Sequence, residues 1–132
     1  MKWRWPDFAP HEVLSPDGME QHKRGNLMVQ PSAMDSLQSF RQKLRFPILI
    51  NFAHLKRRGY RSPQENMAIG GAMFSRHVQG IAFDITCQDL TTEELFHAAI
   101  QHGFGGVGLY REQNFVHVDT RAKGVEPITW IK

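Results

Sequence analysis

Two short segments hold most of the side chains in this 132-residue chain that could do chemistry. The first is Ser75-Arg76-His77-Val78-Gln79-Gly80-Ile81-Ala82-Phe83-Asp84, and the second is Phe115-Val116-His117-Val118-Asp119. Together they offer two imidazoles and two carboxylates, each beside an alternating apolar pattern. A catalytic zinc site takes three protein ligands of these types and leaves a fourth position open for water. The inventory therefore points to a metallohydrolase.

These side chains must be brought together by strands. Side chains on a strand alternate between its faces. From Ile81 to Thr86 this puts Ile81, Phe83 and Ile85 toward a core, and Asp84 on the other face with Ala82 and Thr86. In the second segment Val116 and Val118 take the core face, while Phe115, His117 and Asp119 share the opposite one. If the two strands are neighbours, Asp84 and His117 converge on one ion. His77 is too far along to share the same straight strand. Gly80 frees the chain to turn, so His77 is expected from the preceding loop. A third strand, 105–110, puts Val107 and Leu109 on one face and Gly106, Gly108 and Tyr110 on the other. A glycine-lined face would let a substrate backbone come close.

The rest of the chain reads as an α+β scaffold, a small antiparallel sheet flanked by helices. Ser32 can cap a helix through about Leu44, with Leu37, Phe40 and Leu44 on one stripe and Asp35 near the positive end of its dipole. Residues 46–52 read as a buried strand with Pro47 near its start. Thr91 and Glu94 form a capping box. The helix they open would bury Leu95, Phe96, Ala99 and Ile100 and end at Gly103. Residues 1–31 are expected to be an irregular segment draped over a domain spanning 32–132, a single domain in all.

Composition sets outer bounds. The chain is 41% hydrophobic, in the range of ordinary globular domains. Its net charge of +3 is a mild excess that could favour an anionic polymer through a nonspecific field. Lys56-Arg57-Arg58 is short and lacks interleaved aromatics, so no nucleic-acid partner is expected. Cys87 stands alone, which excludes an internal disulfide and suits a buried strand-end thiol. No segment is long and apolar enough to suggest a membrane partner. Residues 1–7 have no apolar core of a secretory leader, so synthesis in the cytoplasm is expected. A monomer is expected.

The pattern Ser75-x-His77-x-x-Gly80-x-Ala82-x-Asp84, followed by Phe115-Val116-His117-Val118-Asp119, resembles the zinc D-alanyl-D-alanine carboxypeptidase and peptidoglycan endopeptidase family. Its relatives include vancomycin-resistance dipeptidases, phage endolysins and, more distantly, hedgehog domains. Gly59-Tyr60-Arg61-Ser62-Pro63, with Asn66 just after, is similar to another element of that family, and 105–110 to its lead-in to the second histidine. The resemblance runs from about Ser32 to the end, with an echo in 8–18. It implies a hedgehog/D-Ala-D-Ala-peptidase-like fold and one zinc ion on His77, Asp84 and His117. It implies that Arg61 holds the substrate carbonyl or its oxyanion and that Ser75 supports the site. Ser75 and Tyr110 are expected to meet substrate.

The base is less directly indicated. Many relatives carry an acidic residue three before the second histidine, where this chain has Asn114. Asp119, about 6.5 Å further along the strand from His117, is the leading candidate, and Glu112 the second. Asp119 could instead ligate zinc or orient His117. The chain also departs from the pattern in Phe52–Arg58, either a loop at the cleft rim or a neutral insertion. His11, His22, His54, His97 and His102 lack ligand partners at suitable spacing.

Three functions follow. The first is a zinc peptidase acting on peptidoglycan stem peptides or crossbridges, reaching the wall after phage-type release or within a particle. The second is a non-catalytic zinc-containing wall-binding or virion component of the same fold. The third is a structural module without metal.

Overall fold

The computed structural model describes residues 2–50, 59–72 and 75–132. Along the chain come helices α1 (Pro10–Val13), α2 (Pro16–Lys23) and α3 (Pro31–Leu44), strand β1 (Leu49–Ile50) and helix α4 (Pro63–Ala68). They are followed by β2 (Ala82–Thr86), α5 (Thr92–His102), β3 (Gly106–Tyr110), β4 (Phe115–Asp119) and β5 (Ile128–Ile131). The α+β class holds.

The five strands form one sheet in the order β1-β2-β4-β3-β5. The pairs β1/β2, β2/β4 and β3/β4 are antiparallel, whereas β5 runs parallel to β3. The expected antiparallel sheet is therefore mixed at this one edge, through the short strand β5. β1 covers only part of the strand expected over 46–52. The Phe52–Arg58 insertion lies outside the described residues.

One sheet face makes the core. Phe83, Ile85, Val107, Leu109, Val116 and Val118 are almost completely buried, as the alternation requires. Against them pack Leu95, Phe96 and Ala99 of α5, and Met34, Leu37 and Phe40 of α3. Each of the larger side chains, Ala99 apart, contributes about 1.5–3 kcal/mol by leaving water. Thr91 caps α5 with its side chain accepting from Glu94, and Gly103, at φ 103°, ends it. Both features follow the sequence expectation.

Helix α3 starts two residues earlier than a Ser32 cap would place it. Pro31 occupies the first helical position, where its missing N–H would be unpaired anyway, and Gln30 is the flanking residue. Ser32 is thus inside the first turn. Asp35 accepts from the Trp5 indole at 2.8 Å and from Arg4, so it fastens the N-terminal segment.

That segment is not irregular. Residues 10–13 and 16–23 form α1 and α2, each opened by a proline, and Trp5, Phe8, Val13 and Leu14 are buried in the main core. It also grips the loop that carries Arg61. Tyr60 N–H donates to the Val13 carbonyl at 2.8 Å, and Ser15 N–H to the Tyr60 carbonyl at 3.2 Å. Gly59 lies so close to Val13 that a β-carbon there would sit 2.2 Å from its carbonyl oxygen. Ser62 caps α4 and donates its hydroxyl to Asp17 of α2. One core joins this segment to the rest of the described residues.

Candidate metal centre

Strand register sets the first two groups. Asp84 of β2 lies directly opposite His117 of β4 in an antiparallel pair, on the face opposite the core residues Phe83 and Val118. Opposed β-carbons in such pairs are about 4.5–5.5 Å apart. The side chains meet, with His117 Nδ1 3.0 Å from Asp84 Oδ1. His77 arrives from the turn before β2, as expected, and its Nε2 lies 3.4 Å from the same oxygen. Gly80 closes that turn at φ 76°, with the Met28 carbonyl 2.3 Å from where a β-carbon would stand. No other residue type fits both constraints.

These three atoms suit a metal ion. All lie within 4.8 Å of one another, and all three residues are buried. Four tetrahedral bonds of about 2.0 Å place neighbouring donors about 3.3 Å apart. The outer nitrogens support the same assignment. His77 Nδ1 is 2.9 Å from the Gly59 carbonyl. A carbonyl only accepts, so the proton sits on Nδ1 and Nε2 offers its lone pair inward. His117 Nε2 is 2.7 Å from Asp119 Oδ2. Metal-bound histidines characteristically donate their other N–H in this way. The donor set therefore could hold a metal ion, and it is the one such cluster among the described residues.

Charges in the site are strongly coupled. Burial pushes the Asp84 carboxyl upward, but His77 and His117 outweigh it and hold it well below the usual carboxylate range. Burial lowers His117, and its bonds to Asp119 and Asp84 overcome that and raise it. Burial likewise pushes Asp119 up, while His117 and Arg121 hold it well below the usual range.

Asp119 is fully enclosed. Its Oδ1 accepts from the Arg121 backbone N–H at 3.1 Å and from Arg121 Nε at 2.8 Å. Its Oδ2 accepts from Arg121 Nη2 at 2.7 Å and from His117. A carboxylate has about four acceptor positions, and all are used. One of the four ties Asp119 to His117.

The triangle lies in an open cleft of about 460 Å³. Arg61, Ser75, Arg76, Tyr110, Arg121 and Trp130 contribute to its walls. Arg61 is buried and donates from Nη2 to Ser75 Oγ at 3.2 Å, and the same oxygen accepts from the His77 backbone N–H. Tyr110 stacks on Phe115 at 4.4 Å and accepts from the Trp130 indole at 3.0 Å. The structure thus gathers His77, Asp84, His117, Arg61, Ser75 and Tyr110 around one cleft, with Asp119 behind it.

Other expectations need correction. The glycine face of β3 is not open to a substrate backbone. A β-carbon at Gly108 would stand 2.3 Å from Trp130 Nε1, and one at Gly106 would stand 2.6 Å from Asp119 Oδ1. The glycines make room for the chain's own site residues. Glu112 is exposed and borders a neighbouring recess with Tyr110, Gln113 and Lys132. Asn114, at φ 57°, ends the turn between β3 and β4 and faces a recess near Cys87. Neither reaches the cleft. Cys87 is buried at the end of β2 and takes no part in the triangle.

Several participants were not singled out from sequence. Trp130 of β5 stands with its ring 5.2 Å from that of His117, and Arg121 clamps Asp119 beneath it. The alternation in 128–131 was the available signal for Trp130. The Gly59 carbonyl left no signal, because a backbone acceptor has no side chain to read.

A family model described as Peptidase M15 matches residues 8–119. The chain is also 37% identical over 67 residues to the peptidoglycan L,D-endopeptidase MepK of Escherichia coli K12 and to the protein of the same name from Shigella flexneri. Each match covers 47% of this chain and 37% of the relative, so the chain is matched to well under two thirds of those proteins. The family match takes in α1–α2, the turn that carries His77 and the strands that carry Asp84, His117 and Asp119; the chain belongs to the Peptidase M15 family.

Proposed function

We propose that this protein is a zinc-dependent peptidase that hydrolyses peptide bonds in stem peptides or crossbridges of bacterial peptidoglycan. One observation carries it: three inward-facing ligand atoms, with both outer imidazole nitrogens already held, at the foot of an open cleft. The family and the similarity to proteins named as peptidoglycan endopeptidases support the substrate class.

Bound zinc supplies Lewis acidity and an acidified water. The chain supplies the rest. The Gly59 carbonyl keeps the His77 proton on Nδ1, and Asp119 keeps the His117 proton on Nε2, so both rings present lone pairs inward. Of the roles open to Asp119, orienting His117 is the one its contacts support. Arg61 is the cation for the scissile carbonyl oxygen as it gains charge, and Ser75 steadies its guanidinium. Tyr110 and Trp130 form an aromatic wall for the bound peptide. The open cleft favours an endopeptidase. Arrival at the wall by phage-type release or within a particle belongs to the same proposal.

A second reading rests on one feature. Among the described residues, Asp84 is the sole carboxylate lining the cleft, which suits a zinc-containing wall-binding relative without turnover. Both are tested by incubating zinc-loaded protein with purified peptidoglycan and weighing released fragments by mass spectrometry, beside Asp84→Ala. New fragments absent from the control establish the peptidase and name the bond. Intact peptidoglycan that co-sediments with zinc-bound protein would select the binding reading.

A further inference from the structure

Three arginines from separate segments, Arg61, Arg76 and Arg121, line the cleft beside the candidate metal centre. Their surroundings differ. Arg121 is committed to Asp119 through two side-chain bonds. Arg61 donates to Ser75 Oγ. Arg76 makes no ion pair among the described residues, and its Nε is buried with no hydrogen-bond partner. A buried cationic N–H left unpaired costs about 1–3 kcal/mol or more. A guanidinium fork is satisfied best by a planar anion, which a carboxylate provides with two parallel bonds.

The charge balance points the same way. Asp119 offsets Arg121. A divalent ion on two neutral imidazoles and the Asp84 carboxylate leaves one positive charge. Arg61 and Arg76 add two more, and no further acidic side chain lines the cleft among the described residues. Such a cleft attracts an anionic ligand.

We infer that Arg76 is a specificity residue that pairs with a free carboxylate on the substrate close to the scissile bond. This rests on the peptidase reading above and deepens it. The preferred substrate is then an acidic peptide, and amidation of the carboxylate removes the preference. The carboxylate could stand on a side chain flanking the bond, as in an endopeptidase substrate, or at the chain end, as in a carboxypeptidase substrate.

The test uses zinc-loaded full-length protein and one stem peptide in three forms: unmodified, amidated on the side chain, and amidated at the C-terminus. Calorimetry measures Kd with versions too short to be cut, and kcat/KM is measured with crosslinked versions. In the wild type one of the two amidations weakens binding about tenfold or more. Which amidation does so names the source. In Arg76→Gln that ratio falls to near one, and Arg76→Lys, which keeps charge without the fork, restores part of it. Equal binding of all three forms by wild type overturns the inference, as does a ratio that survives in Arg76→Gln. If Arg76→Gln does not fold, the wild-type ratio and Arg76→Lys decide. Cleavage without acid preference sinks the subsite and spares the peptidase. Acid preference without cleavage does the reverse.

Discussion

Asp119 accepts four hydrogen bonds, three from Arg121 and one from His117. With its four acceptor positions engaged, Asp119 supports the proposed role of orienting His117. Spacing alone put a carboxylate near the metal, but its direction depends on Arg121, which follows the strand and folds back beneath it. Replacing Asp119 with Asn keeps the shape but takes the carboxylate from the His117 N–H. Zinc affinity should fall about 10- to 100-fold in a chelator competition. Unchanged affinity with lost turnover would return Asp119 to the role of base. Arg61→Ala should lower kcat about a hundredfold while zinc stays bound, because its cation acts on charge that develops only as the bond breaks. Unaltered turnover would remove Arg61 from the chemistry.

At the scale of elements, the central row of the sheet runs from Asp84 through His117 and Gly108 to Trp130. One missing side chain in that row lets the indole lean across β3 toward His117. Gly108→Ala should therefore push Trp130 outward and destabilise the fold by about 1–3 kcal/mol, read from the denaturant midpoint. A midpoint equal to wild type would mean that β5 shifts freely to make room. The N-terminal helices act on the same site from another side. Their bonds to Tyr60 and Ser62 hold the Gly59 carbonyl against His77, so a segment that looks peripheral in sequence orients a metal-facing ring.

The whole molecule should respond to pH in opposite ways with and without metal. Asp84 and Asp119 are held low when folded. Their contribution to stability is full above about pH 4 and is lost as pH falls through their folded values. His117 is raised when folded. In metal-free protein its contribution is full below about pH 6.5 and is lost as pH rises through the raised value. Zinc requires the neutral imidazole, so loading should strengthen over the same rise. Thermal unfolding from pH 5 to 9 should thus show metal-free protein weakening and zinc-loaded protein holding. Parallel curves would argue against His117 as a ligand.

Periodicity of two sufficed to place Phe83, Ile85, Val116 and Val118 in the core and Asp84 and His117 on the other face, because strand geometry is local. The cap at Thr91, the stop at Gly103 and the turn at Gly80 were legible for the same reason. The candidate metal-facing set, His77, Asp84 and His117, was readable in the same local way, whereas Arg61 and Ser75 entered only through the resemblance to the peptidase family. What no local rule could supply was which groups fill the space between strands. Trp130 covering Gly108, Gly59 turning its carbonyl to His77 and the Arg76 Nε left without a hydrogen-bond partner among the described residues all depend on segments far apart in the chain. Only packing decides such contacts, since each depends on which residue is missing, or already engaged, on the facing element.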